Sequence, residues 1–433
     1  MRYVVQKKPL KIFTGISSFQ FLAMFRRGLF YTYLSLYLIV FLQLTVTEAT
    51  LYATLPMIVS VIFQNYVWGP LSDRWQKRRS LIILGEILAG IGTILVWLIH
   101  SLFSVYLIAG YVIIIGLSCI EIFWSMSNIA WSALISDLYP LQERSKIMGN
   151  LTSIGGIGRM IGITIGGYLY NNGFGFRNGI LFFIASAVMF VSTIPMFFTP
   201  EGGIKVTLNP IEEQENVKSN RNHWKNIFII FIISLIFVNF GRNSISTIYS
   251  TYLNLNTGFA YDGVLIGYIT NFRSIAVLIF GLIIGRMSKK FGESKIFIAG
   301  TIIAVVALLI TGLTNPFNAG FPELIYIFTG SFLIGTADVI LSASSYTIAS
   351  HLIPPKNRAK LFGVYNTTFF LSWGLPATLI SGPFIDILKS NGINEVIAFQ
   401  TAFIVGAIIT SIGFTIFVLL TIIRYIKKRF KKK

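Results

Sequence analysis

Charged side chains occur inside the long apolar stretches of this sequence, where a charge is costly. Five are arginines and three are carboxylates: Arg26, Arg27, Arg159, Arg242 and Arg273, with Glu86, Glu121 and Asp338. An ionisable residue near the middle of a membrane costs at least about 2.5 kcal/mol, so it marks a candidate functional site. Because the arginines outnumber the carboxylates, an anionic solute would best balance the charge of this set.

Two of these carboxylates are candidates for proton exchange, since coupling to a proton gradient needs a group that changes its charge during the cycle. They are Glu121 and Asp338. Asp338 is followed by Ser342, Ser344 and Ser345, a small polar run that could hold water. For Glu121, a static ion pair with a nearby arginine is the alternative.

Apolar stretches long enough to cross a membrane as helices must position these charges. The chain has 433 residues, of which 54% are hydrophobic and 12% are charged, whereas a soluble protein carries about 25% charged residues. We therefore predict an all-α polytopic membrane protein with twelve transmembrane helices and no soluble domain. The predicted helices are 14–42, 49–70, 80–100, 104–135, 146–170, 178–199, 226–253, 262–286, 295–314, 322–351, 361–388 and 396–424.

The basic residues indicate the orientation of these helices. Most of the 35 Lys and Arg residues fall in both chain ends and in the loops on one side, while Arg177 and Lys389 alone fall on the opposite side. The positive-inside rule then places both termini in the cytoplasm. The net charge of +19 is thus a topology signal, with anionic membrane lipid as its partner and no nucleic acid expected.

The sequence contains an internal repeat. Three matched pairs of segments occur at nearly the same shift: FRRGLFYTYLSLYL from Phe25 and FGRNSISTIYSTYL from Phe240, GPLSDRW from Gly69 and GRMSKKF from Gly285, and LYPLQERSKIMG and LIPPKNRAKLFG, which end at Gly149 and Gly363. Each match occupies the same position in the order of spans, so the chain consists of two copies of a six-helix unit. Six spans is an even number, so the copies are related by an axis along the membrane normal.

The repeat defines the predicted domain organisation. Residues 1–199 form the first six-helix bundle and 226–424 the second. The polar stretch 200–225 is a cytoplasmic linker between them, and 425–433 is a basic cytoplasmic tail.

The repeat also places Arg27 and Arg242 at matching depths in the first and seventh helices. Two such arginines facing one cavity could bind a phosphate or carboxylate through paired hydrogen bonds. The alternative is that embedded acids neutralise them, which we expect for Arg26, about 100° around the helix from Arg27. The other candidate solute-binding residues are Arg159, Arg273, Tyr31 and Trp124, although most aromatic residues at helical spacing serve packing.

The segment GPLSDRW from Gly69, with the basic residues that follow it, resembles the G-x-L-A-D-R-x-G-R-R signature of the major facilitator superfamily. Gln76 stands where the second glycine is usual, and the second copy has Lys289 where Asp73 would stand. In that family the cluster latches the cytoplasmic gate. The resemblance therefore implies gating roles for Gly69, Asp73, Arg74, Lys77 and Arg78, with Arg144 in the loop between the fourth and fifth helices.

Two branches of that family are similar to parts of the sequence. The glycine-rich fifth helix, from Gly158 to Gly167, is similar to a pattern of exporters that work by antiport, but such spacing also serves close helix packing. The arginine positions in the first and seventh helices resemble those of organophosphate:phosphate antiporters. In the family, helices four and ten line the cavity, whereas helix three, with Glu86, faces scaffold or lipid.

These features predict a secondary active transporter of a small anionic organic solute in the plasma membrane, coupled to a proton or a counter-solute. The alternatives are multispecific export of amphiphilic drugs and, from another class, a non-transporting sensor or a lipid flippase. Enzyme motifs such as the P-loop, G-x-S-x-G and H-E-x-x-H do not occur, so no enzyme, metal or cofactor is expected. We expect a monomer from the resemblance.

Overall fold

The computed structural model describes residues 9–139, 141–202, 223–317, 320–353 and 358–430. Throughout these ranges the regular secondary structure is helical and no strand occurs. This suits a chain dissolved in lipid, because a helix pairs its backbone groups within its own segment. The predicted all-α fold is confirmed.

Helices occupy the six positions predicted for the first half of the chain. They are α1 (Pro9–Leu36, continued by a π-helical turn Tyr37–Phe41), α2 (Val46–Phe63, continued by the π turn Gln64–Trp68), α3 (Gly69–Trp75), α4 (Arg78–Ser101), α5 (Tyr106–Leu138), α6 (Leu141–Tyr170), α7 (Phe174–Arg177) and α8 (Ile180–Met196).

The second half follows the same order. Its helices are α9 (His223–Asn243), α10 (Tyr249–Asn254), α11 (Gly263–Phe291), α12 (Glu293–Leu313), α13 (Phe321–Leu352), α14 (Arg358–Ser372, followed by the π turn Ala377–Ser381), α15 (Gly382–Ser390) and α16 (Glu395–Phe430). The seventh predicted span is thus interrupted between α9 and α10, and the eleventh is broken between α14 and α15.

Not every helix is long and apolar enough to cross a membrane. Among the described residues, 8 helices are long and apolar enough to cross a membrane, or up to 10 if each of two bent helix pairs counts as one span. This number is lower than the predicted twelve. The adjacent Arg26 and Arg27 lower the hydropathy of α1, and α6 and α8 count as one pair bent by 106°.

The chain divides into two compact units. The first comprises the described residues of 1–44, 55–207 and 262–268, and the second those of 45–54, 208–261 and 269–433. In the first unit α1 packs against α6 and α8, and α4 packs against α5 and α8. Its buried core includes Phe19, Leu81, Ile82, Met126, Ala130, Leu134 and Met196.

The second unit repeats this packing. There α12 packs against α13 and α16, and α9 packs against α16 and α14. The helix starts at Arg78, Tyr106 and Ile180 recur 215 residues later, at Glu293, Phe321 and Glu395. The internal repeat of the sequence is therefore also a repeat of helix positions and of helix pairing.

One backbone position explains the glycine of the family signature. Gln76 ends α3 in the left-handed conformation, with φ 58° and ψ 21°. Gly292, between α11 and α12, occupies the matching position of the second copy; it also has a positive φ, 84°, but its ψ is 144°. Because glycine adopts a positive φ at the lowest cost, a glycine suits this position in the second copy although that copy lacks the acidic residue.

The glycines of α6 let its backbone approach α1 closely. A β-carbon on Gly158 or Gly162 would collide with the carbonyl oxygens of Phe21 or Phe25, and one on Gly166 would lie 2.6 Å from the carbonyl oxygen of Leu29. These contacts lie within the first unit. They support the packing interpretation of the glycine pattern, in which small residues let membrane helices approach.

We predict that Gly162→Ala destabilises the protein, because its added methyl group must push α6 away from α1. Overpacking of this kind costs about 1–3 kcal/mol, which should lower the Tm of the purified protein in detergent by several degrees. Gly149→Ala is the matched control on the same helix, since nothing lies within 4 Å of its β-carbon position. Equal melting temperatures for the two variants would contradict this account of the α1–α6 contact, here called the glycine seam.

Candidate functional site

The first unit contains a cluster of buried charge on α1, α4 and α5, here called the Arg26 cluster: Arg26, Glu86, Glu121, Trp124 and Ser127. Arg26 and Glu86 are each 2% exposed. The Nη1 of Arg26 lies 3.9 Å from Oε2 of Glu86, which makes an ion pair without a hydrogen bond. Ser127 instead donates a hydrogen bond of 2.9 Å to Oε1 of Glu86.

The guanidinium of Arg26 is held mainly by an aromatic ring. Its Cζ lies 3.6 Å from the ring centroid of Trp124, a cation–π contact. Both Nη1 and Nη2 of Arg26 are buried and donate no hydrogen bond to any residue that the structure describes. Arg26 is therefore a buried cation that is stacked and loosely paired.

The neighbouring Arg27 has a different environment, because it points to another side of α1. It is exposed, and its Cζ lies 5.2 Å from the centroid of Trp124. Tyr31, one turn further along α1, stacks on Trp124 with a centroid distance of 6.0 Å. The predicted aromatic candidates thus lie together beside both arginines, although Trp124 already has Arg26 on its ring.

Glu121 is buried, with 3% of its surface exposed. The hydroxyl-bearing side chain of Ser60, on α2, faces it. Within the described ranges it has no cationic partner at ion-pair distance. Glu121 is therefore a buried carboxyl group without an ion pair in the described part of the structure.

The second unit contains another charge cluster, here called the Asp338 triad: Arg242 of α9, Arg273 of α11 and Asp338 of α13. Arg242 Nη1 donates to Oδ1 of Asp338, and Arg273 donates to Oδ2 from Nε at 2.9 Å and from Nη2 at 2.5 Å. Arg242 Nε also donates to the Oδ1 of Asn239 at 3.0 Å. One carboxylate thus joins three helices and neutralises only one of two guanidinium charges.

The remaining predicted solute-binding residue, Arg159, lies on α6 and is exposed. Arg27 and Arg242, predicted as a symmetric pair, belong to different compact units. Within its own unit each has a distinct setting: Arg242 pairs with an acid, whereas Arg27 is exposed beside an aromatic pair.

Arg78 is the centre of the cluster formed by the family signature. It is 5% exposed and donates to Ser72 Oγ at 2.5 Å, to Asp73 Oδ1 at 2.9 Å and to Asp137 Oδ2 at 3.4 Å. These bonds join α3, α4 and the end of α5. The next residue, Arg79, pairs with Glu201 at 3.0 Å, just after α8.

The other signature residues have smaller structural roles. Arg74 and Lys77 are exposed. A β-carbon on Gly69 would lie 2.7 Å from the carbonyl oxygen of Gln64, so glycine fits the preceding π turn. The side chain of Arg144 lies outside the described part of the chain.

Sequence reasoning did not find Ser127, Asn239, Ser72 or Asp137. Two of them could have been found from helical spacing. Ser127 lies three residues after Trp124 and Asn239 lies three residues before Arg242, so each pair shares a helix face. The roles of Ser72 and Asp137 depend on how α3, α4 and α5 pack, which spacing alone does not give.

Comparison with known proteins agrees with this architecture. The fold resembles the crystal structure of the nucleoside transporter NupG, with a TM-score of 0.73, 15% identity and coverage of 96% of this chain and 99% of that one. It also resembles a bacterial homolog of the human lysosomal transporter Spinster, with a TM-score of 0.68, 14% identity and coverage of 95% and 97%. The fold is that of a polytopic membrane transporter.

The sequence matches the profile of the Major Facilitator Superfamily over residues 16–375 and 231–433, and the chain belongs to this family. It is 28% identical to multidrug resistance protein 2 of Bacillus subtilis over 281 residues, which are 59% of this chain and 64% of the relative. It is 25% identical to multidrug resistance protein MdtG of Yersinia enterocolitica over 306 residues, 70% of this chain and 68% of that protein. The match thus spans less than two thirds of the Bacillus protein.

We predict that Arg78→Gln destabilises the protein far more than Arg74→Gln. Loss of Arg78 leaves the buried Ser72 hydroxyl and two carboxylates without their donor, at a cost of about 2 kcal/mol or more. Arg74 is an exposed arginine in the same motif and serves as the matched control. Thermal unfolding in detergent measures both, and a larger loss of Tm in Arg74→Gln would show that Arg78 does not organise the motif.

Proposed function

We propose that the chain is a secondary active transporter that carries a small organic anion by alternating access, with Glu121 as its proton-coupling group. The observation that carries this proposal is the Asp338 triad, in which one carboxylate is shared by two arginines. A membrane-spanning region tolerates such unbalanced charge at a cost, and a function is the usual reason.

An anionic solute would complete the charge balance of the triad. Its carboxylate or phosphate can accept paired hydrogen bonds from a guanidinium group, the strongest geometry available to arginine. Because Asp338 compensates one positive charge, the remaining one attracts a single negative charge. Arg242 and Arg273 are thus the residues that we assign to the solute in the second unit. In the first unit, Arg27 is a separate exposed cation.

Glu121 is a better coupling group than Asp338. The carboxylate of Asp338 is engaged by two guanidinium groups, so its protonation would break both pairs. Ser60 faces Glu121, which forms no ion pair among the described residues, so its protonation removes a buried charge and leaves the ion pairs seen in the structure intact. A proton gradient can therefore act on the first unit while the second unit keeps its triad.

Multidrug export is the second candidate, because the relatives named above are called multidrug resistance proteins. The Tyr31–Trp124 stack would suit a flat amphiphile. A sensor that does not transport, or a lipid flippase, would show no solute flux in either assay below. In all of these cases we place the protein as a monomer in the cytoplasmic membrane with both termini inside and the signature cluster at the cytoplasmic gate.

We predict that Arg242→Gln and Arg273→Gln each reduce uptake of anionic metabolites into reconstituted vesicles at least about tenfold, the effect of losing one charge-assisted pair of about 1.5 kcal/mol. Phosphorylated and carboxylated compounds are compared with lipophilic drugs. Arg286→Gln is the matched control, since Arg286 is an exposed arginine on the same helix as Arg273. Drug flux that survives both substitutions, without anion flux in the parent protein, would move the assignment to export.

We further predict that Glu121→Gln abolishes accumulation driven by a pH gradient but keeps solute exchange between equal pools, because the amide fills the site without carrying a proton. Glu323→Gln is the control, since Glu323 is partly exposed at the start of α13 and its hydrogen bond to Gly320 can be kept by an amide oxygen. Uphill accumulation that persists in Glu121→Gln would exclude Glu121 as the coupling group.

A further inference from the structure

We propose that Arg26 is a two-position switch: it pairs with Glu121 when Glu121 is ionised and with Glu86 when Glu121 is protonated. The proposal rests on the function proposed above, since it supplies the step that turns proton binding into movement of a charged side chain. It assigns a positioning role to Arg26 and Glu86, which sequence reasoning treated as structural.

The first argument is the position of the Arg26 guanidinium against α5. Glu121, Trp124 and Ser127 follow one another at intervals of three residues, so they share one face of α5 at steps of about 4.5 Å. The Cζ of Arg26 lies 3.6 Å from the middle member of this row, the ring of Trp124. Glu121 is at one end of the row, and Ser127 holds Glu86 at the other end.

The second argument is how weakly Arg26 is held in the observed position. It is 2% exposed, yet its two terminal nitrogens donate no hydrogen bond to a described residue and Glu86 is 3.9 Å away. A buried charge with unpaired donors is costly, so small displacements that gain a direct hydrogen bond are favoured. The flat face of Trp124 allows the guanidinium to slide in its own plane while it remains stacked.

The third argument is the charge count around Glu121. The charged groups that face it are Arg26 and Arg27 from α1 and Glu86 from α4, and the uncharged Tyr31 of α1 and Ser60 of α2 face it as well. With Glu121 ionised, these four charges sum to zero. With Glu121 protonated the cluster carries one positive charge, and Arg26 is drawn to Glu86 as the remaining carboxylate. The exposed Arg27 is then left without a compensating charge, which makes it available to an anionic solute.

The fluorescence of Trp124 tests the switch without any solute. The signal of Trp124 is obtained as the difference between the purified protein and its Trp124→Phe variant during a pH titration. A guanidinium that moves across the indole ring changes this emission, so we expect a single step with pH. The step should be lost in Glu121→Gln and in Arg26→Gln, and retained in Arg286→Gln, a control at an exposed arginine on α11 outside the Arg26 cluster.

Glu86→Gln leaves the arginine at position 26 unchanged and tests the position in which Arg26 pairs with Glu86. It removes the charge that receives Arg26, so the fluorescence step should be lost and uphill accumulation should fail while exchange continues. This variant decides the question even if Arg26→Gln does not fold. Melting temperatures verify that each variant tested is folded.

A step that persists in Glu121→Gln or in Glu86→Gln overturns the switch, as does the absence of a step in the parent protein. The outcome is separate from that of the proposed function. Anion flux that depends on Glu121, without a fluorescence step, refutes the switch alone. A step with the expected variant pattern but without anion flux supports the switch and refutes the anion assignment.

Discussion

The cost of keeping guanidinium groups among apolar helices is the constraint on which both charge clusters depend. In the first unit Arg26 is held by the face of Trp124 and by a distant carboxylate. In the second unit Arg242 is held by Asp338. α5 and α13 are corresponding helices of the two repeats. Trp124 on α5 and Asp338 on α13 occupy corresponding positions to within one residue. The same structural position thus receives an arginine in both halves, once through a ring and once through an acid.

The close backbone approach of α1 and α6 determines which arginine of α1 is buried. The glycines of α6 leave no room for side chains against the carbonyl oxygens of Phe25 and Leu29, and this fixes the rotation of α1 about its axis. Adjacent residues on a helix point about 100° apart. Arg26 therefore enters the cluster while Arg27 stays exposed, and a small change in the glycine seam would alter both environments together.

The helix positions could be predicted because runs of about 20 apolar residues have few interpretations other than a membrane span. The interruption between α9 and α10 and the π turns could not, since these depend on tertiary packing. Candidate charged residues were recognisable because charge is rare in apolar stretches. Their pairing was not: several arginines and three carboxylates allow many combinations, and only the packing of α11 against α13 brings Arg273 to the acid that Arg242 also uses. Likewise the signature motif suggested Asp73, Arg74, Lys77 and Arg78 without ranking them, whereas burial singles out Arg78.

The charge of each cluster bears on the kind of solute that fits. A lipophilic cation gains most from a free carboxylate and an open aromatic face. Asp338 is already shared by two arginines, and the guanidinium of Arg26 lies on the ring of Trp124. Glu121 has no ion pair among the described residues but is only 3% exposed, so none of these groups is open to a cation in the observed structure. An anion meets the opposite situation, because the triad retains a positive charge and Arg27 is exposed. For the names of the multidrug relatives to apply to this chain, its compounds would have to be neutral or anionic, or the Arg26 cluster would have to open before they bind.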